Sequence, residues 1–102
     1  MPDFKDLDFP NMMGNLASEL SRVERVLKNN DTDKVKLYLW KSLELTEIIK
    51  AKFPNSETFR LFEFLAYLWV GSPTLKEVKS IQKYTLAFYL NSLNLQHISI
   101  IQ

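Results

Sequence analysis

The sequence offers few side chains that could perform covalent or metal chemistry. It contains no cysteine and a single histidine, His97, which excludes thiolate nucleophiles, disulfides and cysteine-ligated metals. Sites that need two imidazoles, such as HExxH zinc sites and the paired Glu-x-x-His motifs of di-iron bundles, are excluded as well. His97 lies in a short segment near the end of the sequence, which is a poor position for the base of a serine triad. We therefore expect no catalytic residue, no metal and no cofactor, and a protein that is not an enzyme.

Acidic residues occur in two groups that could suggest a metal site. Glu44 and Glu47 are three residues apart, but lysines occur nearby in the same segment, and this pattern is typical of a solvated helix face with local ion pairs. The second group is Asp3, Asp6 and Asp8. An EF-hand loop needs glycine at its sixth position and glutamate at its twelfth, whereas counting from Asp3 gives Asp8 and Gly14. The spacing excludes this calcium site.

The sequence also gives little evidence for a phosphate site or a nucleic-acid site. No glycine-rich loop followed by lysine is present, so the sequence lacks a P-loop. The formal net charge is +1, which gives no overall reason to expect nucleic acid as a partner. Lys76, Lys79 and Lys83 share one side of a predicted helix and form a local basic patch. We interpret this patch as a solvated face, and keep DNA binding through these lysines as an alternative.

That alternative has a second motivation, a local resemblance over 59–93. The segments 64–68, 72–78 and 90–93 resemble the helix-turn-helix core of winged-helix regulators. The resemblance implies a DNA-binding regulator with a degenerate helix-turn-helix-like segment. The three matching segments lie within 64–93, under a third of the chain, and the segment 79–84 contains neither the glycine that is common in the turn of that family nor a proline.

The apolar residues recur at helical spacing, and they predict an all-α protein. We expect a single domain over 1–102, arranged as an up-and-down four-helix bundle. The predicted helices span about 11–29, 32–53, 56–70 and 73–94, where periodicity and capping residues fix the limits only approximately. Residues 1–10 should form an N-terminal arm, with Phe4, Leu7 and Phe9 docking on the bundle. Residues 96–102 should form an apolar tail, because their isoleucines favour extended backbone.

Capping residues predict where the helices begin and end. Asn29 and Asn30 should end the first helix, since asparagine tolerates the left-handed conformation of a C-terminal cap. Asp31 or Thr32 should cap the second helix. Gly71 should end the third, and Ser72 and Pro73 should supply the N-cap and first residue of the fourth. Because these connections are short, successive helices should be antiparallel neighbours.

Three of the four helices carry wider apolar arcs than a closed bundle uses. The third is apolar nearly all round, a pattern that predicts burial on several sides. Exposed apolar surface usually marks an interface, so we predict a homodimer, with binding of another protein also open. The expected interface residues are Leu37, Trp40, Ile48 and Trp69. Trp40 is the leading anchor, because it lies off the main stripe of its helix.

Two further expectations concern a ligand and the location of the protein. Aromatic residues could instead line a pocket for a small apolar ligand; they are Tyr38, Trp40, Phe59, Phe62, Phe64, Tyr67 and Trp69. The acidic start lacks the basic and apolar regions of a signal peptide, and no apolar segment approaches the ~20 residues of a membrane helix. We expect a cytoplasmic protein without membrane contact.

Overall fold

The structure, a computed structural model, describes the backbone of residues 6–101 and the side chains of residues 6–91. It contains four helices and no strand over those residues: α1 (Phe9–Lys28), α2 (Thr32–Lys52), α3 (Ser56–Val70) and α4 (Leu75–Ile101). The predicted all-α four-helix bundle is confirmed. The bounds of α2 and α3 agree with the sequence to within one residue, whereas α1 begins two residues earlier than predicted.

The junction between α1 and α2 confirms the capping prediction in atomic detail. Asn30 adopts a left-handed backbone conformation with φ 57°. Its N–H donates to the Leu27 carbonyl at 3.1 Å, and the Asp31 N–H donates to the Val26 carbonyl at 3.0 Å. This pair of bonds is a Schellman motif. The Asp31 side chain then accepts from the Lys34 N–H and caps α2.

The fourth helix begins later than the sequence predicted. Its first turn is capped by Thr74, whose hydroxyl oxygen accepts from the Glu77 N–H at 3.2 Å, while the Glu77 carboxylate accepts from the Thr74 N–H at 2.9 Å. This reciprocal pair is a capping box. The prediction of Ser72 and Pro73 as the cap was therefore wrong, because the Thr-x-x-Glu pair satisfies two backbone donors where Ser72 could satisfy one.

The predicted apolar tail was also wrong in its backbone conformation. The α4 helix continues through residues 96–101 and ends at Ile101, rather than stopping near residue 94. No proline or glycine occurs after Pro73, so no residue interrupts the backbone hydrogen bonds. The intrinsic preference of branched residues for strands is worth only a few tenths of a kcal/mol each, which is too small to end a helix.

The core lies where one face of each helix meets the others. The fully buried apolar side chains include Met12, Met13, Leu16, Leu20 and Val23 of α1, Leu39 and Ile49 of α2, Leu61 and Leu65 of α3, and Val78 and Ile81 of α4. Leu7 and Phe9 pack against this core, as predicted. Phe4 lies outside the described residues. The Phe9 ring contacts both Phe53 and Phe88, with centroids 5.1 Å and 5.2 Å apart, so the start of α1 is held between α2 and α4.

One edge of the bundle differs from expectation. Helix α1 packs extensively on α2 and α4, and α2 packs on α3, but α3 and α4 touch only sparsely although they are successive. Consequently α3 buries one face, and Phe59, Phe64, Tyr67 and Val70 stay exposed. The expected burial of α3 on several sides was wrong. Within the described residues, no helix is both long and apolar enough to span a membrane.

Candidate protein-protein interface

The two tryptophans of the chain form a single contact between α2 and α3. The rings of Trp40 and Trp69 lie 5.2 Å apart at an interplanar angle of 52°, within the range of favourable aromatic pairs. Because the start of α2 runs beside the end of α3, two of the predicted interface residues meet in this pair.

Lys36 of α2 links the two helices at this junction by binding backbone carbonyls at the end of α3. Its ammonium donates to the Trp69 carbonyl at 2.5 Å and to the Gly71 carbonyl at 3.0 Å. These carbonyls belong to the last turn of α3 and the residue that follows it, where a cation also interacts favourably with the helix dipole. The same ammonium lies 4.9 Å from the centroid of the Trp69 ring. Trp69 is therefore held between a cation and an indole, and only part of it remains accessible.

Exposed apolar side chains surround this junction. Leu37 is 49% exposed and Trp40 45%, and Val70 at the end of α3 is 84% exposed. We call Leu37, Trp40, Trp69 and Val70 the α2–α3 surface. Taking roughly 200 Å² as the full area of a large apolar residue, the three exposed fractions correspond to roughly 350 Å² of apolar surface. An apolar patch of this size on a monomer is often functional.

Ile48 occupies a different position from the other predicted interface residues. It is partly buried and packs against the core. It also lies eleven residues after Leu37 along α2, or about 16 Å at the rise of an α-helix. The structure thus brings Leu37, Trp40 and Trp69 to one end of the bundle and leaves Ile48 apart.

The basic patch lies on a different surface, the outer side of α4. Lys76, Lys79 and Lys83 are all exposed. The helix runs without interruption through residues 79–84, so the turn that separates two helices in winged-helix regulators does not form there. Leu86 and Leu90 continue the same side of α4, and they are 53% and 49% exposed. Helical spacing places Lys79, Lys83, Leu86 and Leu90 in one line, which we call the α4 stripe.

A polar contact joins α3 and α4 across their sparsely packed edge. The Tyr84 hydroxyl donates to the Glu57 carboxylate. Burial, together with the hydrogen bond and the negative charge of Glu57, raises the pKa of Tyr84 to about 12. Sequence reasoning missed this contact, since the residues are 27 positions apart and neither belongs to a recognisable motif.

One pocket among the described residues lies beside α3 and is small. It has a volume of about 200 Å³ and is lined by residues 67–68, 70–73 and Glu77. Drug-sized ligands generally occupy pockets of about 300–1,000 Å³. Of the aromatic residues considered for a ligand site, only Tyr67 lines this pocket, because the others are distributed over several sides of α2 and α3.

The described residues contain no group of three or more histidine, cysteine or acidic side chains that could hold a metal ion. Glu44 and Glu47 are exposed on α2. Asp3 lies outside the described residues, and the His97 side chain lies outside the described side chains.

Comparison with known proteins gives no further guide to function. No family model, no curated protein and no solved structure matches this chain.

Proposed function

We propose that this chain is a small, non-enzymatic association module that binds a second copy of itself, with the homodimer as the first species formed. The observation that carries the proposal is the pair of exposed apolar side chains Leu37 and Trp40, at the centre of the α2–α3 surface. Both project from a helix whose opposite face is fully buried at Leu39 and Ile49. They are therefore not needed to close the core of one chain.

The size of the exposed surface supports self-association. A standard interface buries about 800 Å² on each partner, and the α2–α3 surface supplies roughly 350 Å² of apolar area. Burial of such area is the main favourable term in protein association. Aromatic residues, and tryptophan above all, are enriched among the residues that dominate binding energy. We also propose that the chain is located in the cytoplasm and that it can interact with another protein.

Light scattering after size exclusion, over a concentration series, tests the proposal. The expected result is a mass that rises from monomer towards dimer as the concentration increases. Leu37→Glu should shift the equilibrium towards monomer, because it places a charge within the apolar surface. Ser21→Glu is the matched control, since Ser21 is exposed on α1 away from the α2–α3 surface. A monomer at every concentration would contradict the proposal, and association that is equally insensitive to both substitutions would contradict the role of the α2–α3 surface in it.

A further inference from the structure

The outer sides of α2 and α4 carry complementary patterns of charge and apolar residues. On α2, Leu37 and Trp40 are followed by Glu44 and Glu47; all four are exposed, and we call them the α2 stripe. Lys41, which is exposed between them, places its ammonium over the Tyr38 ring, 5.5 Å from the centroid. The α4 stripe has the opposite order along the chain, since Lys79 and Lys83 come before Leu86 and Leu90. One stripe is apolar then acidic, and the other is basic then apolar.

These patterns match in spacing as well as in type. Leu37 lies seven residues before Glu44, and Leu90 lies seven residues after Lys83, so each pair spans about 10 Å of helix. Trp40 and Glu47 are also seven apart, as are Leu86 and Lys79. If the two helices lie antiparallel, the leucine and tryptophan of α2 face the leucines of α4.

The same antiparallel register pairs the charges. With Leu37 opposite Leu90, Glu44 comes opposite Lys83 and Glu47 comes close to Lys79. A parallel arrangement would place Leu37 opposite a lysine, which would leave both ends of the contact mismatched. In this arrangement the charges would specify the register, while the apolar residues would supply most of the binding energy.

Neither set of charges forms an ion pair within the described part of one chain. The ion pairs found there involve other residues, and none includes Glu44, Glu47, Lys79 or Lys83. The two stripes cannot meet within one chain either, because both α2 and α4 pack on α1 and carry their stripes on the sides away from the core. A complementary stripe is available on a second copy.

We propose that two copies of this chain associate by packing the α2 stripe of one antiparallel to the α4 stripe of the other. This inference rests on the proposed self-association and names its two surfaces. The contact joins different surfaces on the two copies, so a dimer retains one unused α2 stripe and one unused α4 stripe. Such heterologous contacts continue into larger species unless they close into a ring. The mass should accordingly rise above that of a dimer at high concentration.

Charge reversal, followed by mixing, tests this pairing. The variants are E44K/E47K, which makes the α2 stripe basic, and K79E/K83E, which makes the α4 stripe acidic. Each should weaken self-association by about fourfold or more, since an exposed ion pair is worth about 1.4- to 5-fold, two pairs are lost, and two like-charge contacts of similar magnitude replace them. Mixing the two variants in equal amounts should restore association, because each altered stripe then finds an opposite charge on the other variant.

The controls separate this inference from the proposed function. Glu63→Lys and Arg25→Glu make single reversals at exposed sites on α3 and α1, and they should leave self-association unchanged. If the natural chain associates but neither double variant weakens it, or if mixing restores nothing, the stripe pairing is wrong and self-association stands. If the natural chain remains a monomer, the proposed function and this inference both fail.

Discussion

The substitution Trp40→Ala tests the association surface most directly. In one chain the Trp40 side chain is 45% exposed, and with roughly 220 Å² for a whole tryptophan about 100 Å² would remain to be buried by a partner. At about 25 cal/mol per Å² this area corresponds to about 2.5 kcal/mol. Full burial of Trp40 therefore predicts a dissociation constant up to about 70-fold higher for the alanine variant.

The chain provides its own optical probe for this experiment. Both of its tryptophans belong to the Trp40–Trp69 pair, so tryptophan fluorescence reports on this surface alone. The emission maximum of the natural chain should move to shorter wavelength as concentration rises, because association removes Trp40 from water. Dissociation constants come from sedimentation equilibrium, so they remain measurable for a variant that retains only Trp69.

Two controls separate association from folding. Trp40→Ala also removes a ring contact with Trp69 that is worth about 0.5–1.5 kcal/mol, so a loss of fold stability of this order is expected in urea at concentrations where the chain is monomeric. Trp40→Phe keeps an aromatic ring and should retain most of the affinity. If the natural chain associates, and the alanine variant has a dissociation constant within twofold of it, Trp40 is not an interface anchor and the reasoning is refuted.

Three other predictions concern the fold. Asn30→Val should lower the free energy of unfolding by about 1–2 kcal/mol, because a branched residue resists the left-handed backbone at this position, while Asn30→Gly should cost nothing; urea titrations compare them. The raised pKa of Tyr84, about 12 against an ordinary 10.0, means that its stabilising contribution is complete below pH 10 and is lost as the pH rises through about 12. The urea midpoint of Tyr84→Phe should therefore fall less steeply over that pH range than the midpoint of the natural chain. Equal slopes for the two proteins would contradict the contact with Glu57. Lys36→Met should destabilise the fold by about 1 kcal/mol, since it removes charged hydrogen bonds to the end of α3 and keeps most of the side-chain volume; an unchanged urea midpoint would show that Lys36 contributes no net stability.

The existence of the four helices could be predicted because it depends on local patterns. The apolar residues of α1 recur at steps of three and four, and asparagines stand at helix ends. Asn30 ends α1 in the left-handed backbone conformation, and the Asn55 side chain caps α3 by accepting from the Thr58 N–H. The end of α4 could not be placed in the same way. Branched residues near Ile101 suggested extended backbone, but a weak propensity does not stop a helix that lacks a breaker.

The candidate site could be predicted only in part. Leu37 and Trp40 were identified because they lie off the apolar stripe of α2, and both are exposed. Ile48 has the same type of pattern but packs against the core, since neighbouring elements decide which surplus residues are covered. The role of Lys36 was missed, because its partners lie 33 and 35 residues away and lysine is compatible with almost any exposed helix position.

The sequence by itself determined the helical class, most helix limits, the junction at Asn30 and the absence of cysteine chemistry, since each depends on residue types or on neighbours within a few positions. Tertiary structure alone decided that α3 and α4 pack sparsely, that Trp40 meets Trp69, and that Tyr84 reaches Glu57. These contacts depend on how helices distant in sequence are placed around α1. The placement of the helices follows from the sum of many small packing energies. That sum cannot be read from any single residue or spacing.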